Sequence, residues 1–575
     1  LYDFQRDAAL AIINKLQTYN GCILADSVGL GKTFTALAVI KYYESLNRDV
    51  LVLCPKKLSD NWLTYKNPQK DNPIWEDGLH YRVACHTDLS RSRGKNVDGL
   101  DLSKINWGAF GLVVIDESHN FRNGADSARA ASEETGGVEN RYQRLLNHVI
   151  AEGIPTKVLM LSATPVNNRF RDLRNQLALA YQGKPLSWSE ELGLSTSVED
   201  VFSRAQSVYT TWSKLSPEAR TTRALTDALD MDFFRVLDQV TVARSRAHIQ
   251  RYYDVDAIGP FPERNKPLSI RPKLSELADA PTYSEIAGSL DLLKLAVYMP
   301  SHYVLPSRAA KYADKNGNLT TSGRETGVRR LMATNLLKRL ESSVNSFRKT
   351  LERVLAIMDE RLEEIERFKA HLSDDDSAMP INLTADIDLE DIDDEDEEAE
   401  EFLAGGKTSF DLRDMDWKSW EHDISDDADT IRGLLCMIQG IDAEHDAKLQ
   451  ELKKLIRKKA TAPFNPGNRK LIVFTAFADT ADYLYQELAD ELKQELALEF
   501  AEVTGTGGGR VTVPGVHADF NEILTCFSPV SKNRGAVSPR LADRDIDVLI
   551  ATDCISEGQN LQDCDCLVNY DIHWN

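Results

Sequence analysis

The stretch Ala25-Asp26-Ser27-Val28-Gly29-Leu30-Gly31-Lys32-Thr33 brings two glycines, an amine and a hydroxyl close together. Residues of these types at this spacing can grip phosphate. Glycines let backbone N–H groups close around an anion, and the N-terminus of a following helix adds partial positive charge. Lys32 is placed to reach the β and γ phosphates of a nucleotide, and the Thr33 hydroxyl to hold Mg2+. Asp26 stands where a glycine usually opens such a loop, six residues before the lysine. A lone Gly-x-Gly-Lys-Thr also fits an ordinary turn, so its meaning rests on the residues further along the chain. The apolar run Phe110 to Ile115 ends in Asp116-Glu117-Ser118-His119. An aspartate at the tip of a buried strand beside a phosphate loop holds Mg2+ through water, and the adjacent glutamate polarises the attacking water. A solvated acidic turn is the ordinary reading of an Asp-Glu pair; the order strand, loop, helix, strand argues against it here. A third run, Val158 to Leu161, ends in Ser162-Ala163-Thr164-Pro165, whose small hydroxyl residues suit sensing of the γ-phosphate.

Short apolar runs alternate with helix-like segments over 1–182. This pattern predicts an α/β fold, a parallel sheet covered by helices on both faces, with the chemistry at the carboxyl ends of the strands. A shorter version of the same pattern returns over 463–575. The middle, 183–462, is richer in helix formers. There Leu337, Leu340, Val344, Phe347, Leu351, Val354 and Met358 recur at spacings of three and four, which predicts one helix from Val328 to Leu372. An amphipathic helix packed on its own domain accounts for this short seam better than a zipper does. Between Ser373 and Glu401 lie 15 acidic residues and no basic ones. This stretch reads as a disordered linker, with an acidic mimic of DNA as the rival reading. Gly505-Thr506-Gly507-Gly508-Gly509 lacks dinucleotide-loop spacing and reads as a surface loop.

Gly29–Thr33, Asp116–His119 and Ser162–Pro165, in that order, resemble motifs I, II and III of the superfamily-two helicases. Phe4-Gln5, Cys54-Pro55-Lys56-Lys57 with Asn61-Trp62, and the extended segment Asp116 to Asn123 are similar to the Swi/Snf-like DNA translocases, bacterial forms included. Ser27 departs from the glutamate usual in that family. In the second half, Leu471 to Thr475 resembles motif IV. Val548 to Asp553, leading into Ser556 to Gln562, resembles motif V. Val242 to Arg246 and Phe261 to Arg264 resemble the basic segment after motif III; Arg244, Arg246 and Arg251 meet phosphate in one reading and line a solvated helix face in the other. The resemblance implies two RecA-like lobes, the second truncated, separated by a large helical insertion, with ATP in the cleft between the lobes. It implies that Gln5 reads adenine, that Gly29, Leu30, Gly31, Lys32 and Thr33 hold the nucleotide with Mg2+, and that Ser162 and Thr164 couple nucleotide state to movement. Pro55, Lys56, Thr475, Thr552, Glu557 and Gly558 would line the nucleic-acid track or the cleft. The family's motif VI would follow Trp574, so the resemblance also implies a fragment of a larger protein with weak ATP binding and poor hydrolysis.

The expected activity is therefore an ATP-driven motor on double-stranded DNA. An RNA or single-strand helicase is one rival. The other is a nucleotide-gated scaffold for a nuclease or polymerase, with any fused nuclease outside this chain. A net charge of −22 weighs against a nucleic-acid partner, but the acidic stretch leaves only −7 for the rest. No apolar run approaches the ~20 residues needed to span a bilayer, so no membrane partner is expected. The eight cysteines are scattered, and Cys564-x-Cys566 lacks metal-ligand spacing. A reduced, cytoplasmic protein without structural zinc is expected.

Overall fold

In the computed structural model, Gly21–Leu24 (β1), Val50–Cys54 (β2), Arg82–Cys85 (β3), Leu112–Asp116 (β4) and Lys157–Leu161 (β5) are almost wholly buried. Strands that are apolar on both faces need cover on both faces, which a parallel sheet with helical crossovers supplies. With Thr241–Val242 (β6) they form a six-stranded parallel sheet in the order β3-β2-β4-β5-β1-β6. The two-residue side-chain period divides the core. Cys22, Leu24, Val52 and Val114 pack with Ile12, Leu16 and Ile40 of the helices Asp3–Tyr19 (α1) and Lys32–Ser45 (α2). Ile23, Leu53, Val113 and Met160 face the opposite layer, with Leu177 and Phe202. Register fixes where the loops emerge: Leu24 lies opposite Leu161 and Val242, and Leu161 opposite Asp116. The loops after β1, β4 and β5 thus share one edge of the sheet.

The structure describes residues 1–66, 72, 74–122, 141–165, 169–182, 185–216, 218–254, 259, 261–312, 321–371, 380–381, 410–505, 509–552, 555 and 559–572. The acidic stretch 373–401, apart from 380–381, lies outside them, as do Asn123, the centre of the glycine-rich loop, Glu557 and Gly558. Two compact units are present, Leu1–Lys266 and Pro267–Trp574. The helices Val198–Ser213 and Met231–Val240 fall in the stretch grouped above with the helical middle. Their apolar faces, with Val201, Phe202, Phe233 and Val236, bury against the first sheet.

In the second unit, Pro380–Ile381 (β7) and Phe410–Asp411 (β8) form a small antiparallel ribbon. Leu471–Phe474 (β9), Phe500–Val503 (β10), Arg510–Val511 (β11), Val548–Ala551 (β12) and Leu567–Asn569 (β13) make a second sheet in the order β11-β10-β12-β9-β13. All its pairings are parallel except β10 with β11. The fold class is thus α/β, with a parallel sheet in the first unit and a mainly parallel sheet together with a helical layer in the second. In that layer the expected single helix is two, Thr321–Ser342 and Val344–His371. Ser343 divides them because its Oγ accepts from the Ser346 N–H at 3.0 Å, an N-cap on the second helix. Val344, Phe347, Leu351, Val354 and Met358 bury against Trp420 and Ile431 within the same unit, whereas Leu337 is exposed.

Candidate nucleotide site

The loop after β1 is shaped by two glycines in the left-handed region, Gly29 at φ 85° and Gly31 at φ 74°. A Cβ on Gly31 would sit 2.5 Å from Gln5 Nε2, so this position excludes a side chain on two counts. Gly31 caps α2 without a side-chain bond, leaving the first-turn N–H groups and the helix dipole at the loop. Lys32 Nζ donates to the Asp26 carbonyl at 3.2 Å, reaching back across the loop. Lys32 and Thr33 are both half-buried. Leu30 is buried with Phe4 and Ile249, which pins the loop from beneath.

Asp26 explains the missing glycine. It is fully buried, and its carboxylate takes the Arg244 guanidinium at 2.5 Å and 3.1 Å and the Arg244 backbone N–H at 3.0 Å. Arg244 also donates to the Phe4 carbonyl and lies over the Phe4 ring. Ala25 and Ser27 donate backbone N–H groups to Val242 and Arg244. The glycine loop after β1 is therefore sewn to β6 and the residues just after it. Arg246 Nη2 donates to the Val28 carbonyl at 3.2 Å, beside Gly29. Arg251 lies over Tyr252.

At the end of β4, Asp116 accepts the Trp62 indole N–H at 2.9 Å on one oxygen and the Glu117 N–H at 3.1 Å on the other. Glu117 has φ 48°, a conformation that costs a non-glycine residue about 1–3 kcal/mol and turns the chain sharply after the strand. His119 Nδ1 lies 3.5 Å from Glu117 Oε2 and 3.4 Å from Ser162 Oγ. Ser162 is buried, and its Oγ accepts from the Thr164 N–H at 3.2 Å. The Asp-Glu segment and the Ser-x-Thr segment are thus joined through an imidazole. Gln176 forms a second brace: it accepts from Ser118 Oγ at 2.8 Å and donates to the Pro165 carbonyl at 2.8 Å. Close by, burial pushes the His86 imidazole down to about 3, with Arg141 and His119 acting in the same direction.

Magnesium suits these donors. It prefers oxygen, keeps several waters and takes one or two protein ligands together with phosphate oxygens. The Thr33 hydroxyl, at the start of α2 after β1, and the Asp116 carboxylate, at the end of β4, provide that chemistry at one edge of the sheet, with β5 between the two strands. No cluster of three or more metal-binding His, Cys, Asp or Glu side chains occurs among the described residues.

The other expected site residues divide between buried braces and exposed turns. Gln5 is buried; its Oε1 accepts from the Tyr2 N–H and its Nε2 donates to the Leu30 carbonyl, so it caps α1 and braces the loop. Pro55 and Lys56 begin a short turn in which Lys56 is exposed. Thr475 is only 2% exposed; its hydroxyl donates to Asp571 Oδ2 at 2.7 Å, so its side chain faces the fold. Thr552 is buried as well. The parts of Trp62, Gln176, Arg244 and Asp571 come from the structure. Each bonds to a motif residue from a distant or unremarkable position, which spacing does not reveal.

Residues 4–66 match the SNF2-related domain and residues 447–575 the helicase conserved C-terminal domain. Chromodomain-helicase-DNA-binding protein 1-like of Mus musculus is 23% identical over 224 residues, 36% of this chain and 22% of that protein. Uncharacterized ATP-dependent helicase YqhH of Bacillus subtilis is 26% identical over 215 residues, 35% of this chain and 32% of that protein. DNA annealing helicase and endonuclease ZRANB3 of Mus musculus is 25% identical over 201 residues, 33% of this chain and 17% of that protein. The chain thus spans less than a third of these relatives. The Sulfolobus solfataricus SWI2/SNF2 ATPase core in complex with dsDNA overlays with a TM-score of 0.30 and 14% identity, covering 100% of this chain and 82% of that one. With an SNF2-related segment near its start and a helicase C-terminal domain near its end, the chain is similar to superfamily-two helicases of the Swi/Snf-like branch.

Proposed function

We propose that the chain is the ATP-hydrolysing part of a motor that moves along double-stranded DNA. One observation carries the reading: the glycine loop with Lys32 and the Asp116-Glu117 pair emerge at the same edge of one parallel sheet, two strands apart. In this reading the backbone N–H groups of Gly29 to Gly31 and the Lys32 ammonium hold the phosphates. Thr33 directly and Asp116 through water would hold Mg2+, which when bound would draw charge from the phosphoryl oxygens. Glu117 orients and deprotonates the attacking water. The contact from Glu117 through His119 to Ser162 carries the state of the γ-phosphate into the segment ending at Pro165, and Gln5 pairs with adenine after leaving its bonds to the loop. Duplex DNA as the track is supported by the names of two relatives, both of which include DNA. The seven described cysteines are all free thiols, in keeping with a cytoplasmic setting.

The test, made on the full-length protein, is the ATPase rate without nucleic acid, with blunt duplex DNA, with single strands and with RNA. Stimulation by duplex alone is expected. Stimulation by RNA or single strands alone transfers the motor to another track. ATP binding with no stimulation by any nucleic acid overturns the motor in favour of a nucleotide-gated scaffold.

A further inference from the structure

We propose that Trp62 is a positioning residue that ties the exposed Lys56 turn to the Asp116 carboxylate, so that nucleic-acid backbone held at Lys56 changes how tightly Mg2+ and nucleotide bind together. This rests on the function proposed above.

The link is short and continuous. Lys56–Leu58 is a 3-10 turn that runs directly into the helix Ser59–Thr64 (α3). Leu58 N–H donates to the Pro55 carbonyl at 2.9 Å and Ser59 Oγ to the Lys56 carbonyl at 2.7 Å, so turn and helix move as one piece. Trp62, on that helix, is 1% exposed. Its indole N–H donates to Asp116 Oδ2 at 2.9 Å. An indole nitrogen can only donate, so this bond sets which way the carboxylate plane faces. From the other side, Tyr81 Oη donates to the Trp62 carbonyl at 2.5 Å, and the two rings meet edge to face at 6.2 Å and 88°. The indole is clamped between β3's neighbour Tyr81 and the tip of β4, and Lys56 lies six residues away on the same rigid segment. A tryptophan needed only to fill the core would not have to direct its N–H at this carboxylate.

A bond from a neutral donor to a charged acceptor is worth enough that its loss should weaken the dependent step about tenfold. Trp62→Phe keeps an aromatic ring and removes the donor. Binding of a fluorescent ATP analogue to the full chain is measured in Mg2+ and in EDTA, each with and without a short duplex. In the wild type, Mg2+ tightens binding and duplex changes the size of that gain. In Trp62→Phe, affinity in EDTA stays within about twofold, the gain from Mg2+ falls about tenfold, and duplex no longer alters it. Trp62→Phe placed on Asp116→Asn should add nothing further, because both act through one carboxylate. An unchanged Mg2+ gain in Trp62→Phe overturns the proposal, as does equal loss in Mg2+ and EDTA, the mark of a purely structural residue. If Trp62→Phe fails to fold, Tyr81→Phe takes its place: a smaller loss confined to the Mg2+ arm is expected, and no loss overturns the proposal. A wild-type chain that binds no nucleotide in either condition overturns the function proposed above instead, which keeps the two failures distinct.

Discussion

Asp26 and Arg244, 218 positions apart in the chain, form an enclosed ion pair with N–O distances of 2.5 Å and 3.1 Å that closes the glycine loop after β1 against the residues after β6. Asp26 is fully buried and the Arg244 side chain is 9% exposed. Removing one partner of such a pair leaves the other charge buried without compensation, at a cost of about 3–5 kcal/mol. Arg244→Ala should therefore destabilise the first unit by that amount and weaken nucleotide binding. Asp26→Gly, which restores the usual loop residue, should also lose stability. The double variant should lose less than the two single losses combined, by about 0.5–3 kcal/mol. Chemical denaturation of the four proteins checks this, and strict additivity would sink the pairing.

Lys32 and Glu117 should separate binding from chemistry. Lys32→Ala removes the amine that would meet the phosphates, and nucleotide binding should fall below detection. Glu117→Gln keeps the size of the side chain and removes the base, so binding should persist while hydrolysis drops by about 10²–10⁴. Equilibrium binding and single-turnover hydrolysis on the same preparations distinguish the two. Retained turnover in Glu117→Gln would take the glutamate out of the chemistry.

The parts of this fold that were legible in the chain are those written locally. Buried strands such as Val50–Cys54 read as apolar runs, and the three motifs read at the ends of β1, β4 and β5. The features that escaped reading are written in pairs of distant residues. β6 has only two residues, Thr241 and Val242, too few for any periodicity, yet it lies beside β1 and carries Arg244 to the loop. Asp26 looks like a flaw in the glycine pattern until Arg244 is beside it. The break in the long helix at Ser343 depends on one hydroxyl turning to cap the next segment, a local option that an unbroken run of helix formers conceals. Trp62 sits in a recognisable segment, but its bond to Asp116 spans 54 positions.

His86 should make the first unit sensitive to acid. It is buried against Phe121, and burial lowers its imidazole from 6.5 to about 3. Between those values the unfolded chain holds a proton that the folded chain does not, so stability is fully present above pH 6.5 and declines as the pH falls. From pH 7 to pH 5 the wild type should lose about 2 kcal/mol more than His86→Phe, which has no proton to take up. In the second unit, Glu502 works in the opposite sense. Burial raises its carboxyl to about 7, so the stability it contributes is present below 4.5 and lost as the pH rises through 7. Comparing variant with wild type at each pH removes that background. Parallel stability curves for the two proteins would rule out His86 as the source.

Lys56 and Thr475 should respond differently to salt, although the family resemblance assigns both to the nucleic-acid track or the cleft. Lys56 is exposed, so a phosphate contact there should release a counterion. Lys56→Ala should weaken duplex binding about equally across sequences and reduce the slope of log affinity against log salt by about 1. Thr475 donates its hydroxyl to Asp571, whose Oδ2 also accepts the Ala476 N–H at 2.6 Å. Thr475→Val removes one of those two donors from a buried carboxylate, at a cost of about 1–3 kcal/mol in stability. Its salt slope should match the wild type, because no charge facing the solvent has changed. Fluorescence anisotropy with a labelled duplex over a salt series, alongside thermal melts, reads both quantities. A reduced salt slope in Thr475→Val would mean that the second sheet opens at this strand end to admit the backbone, and that the bond to Asp571 is exchanged for one to phosphate.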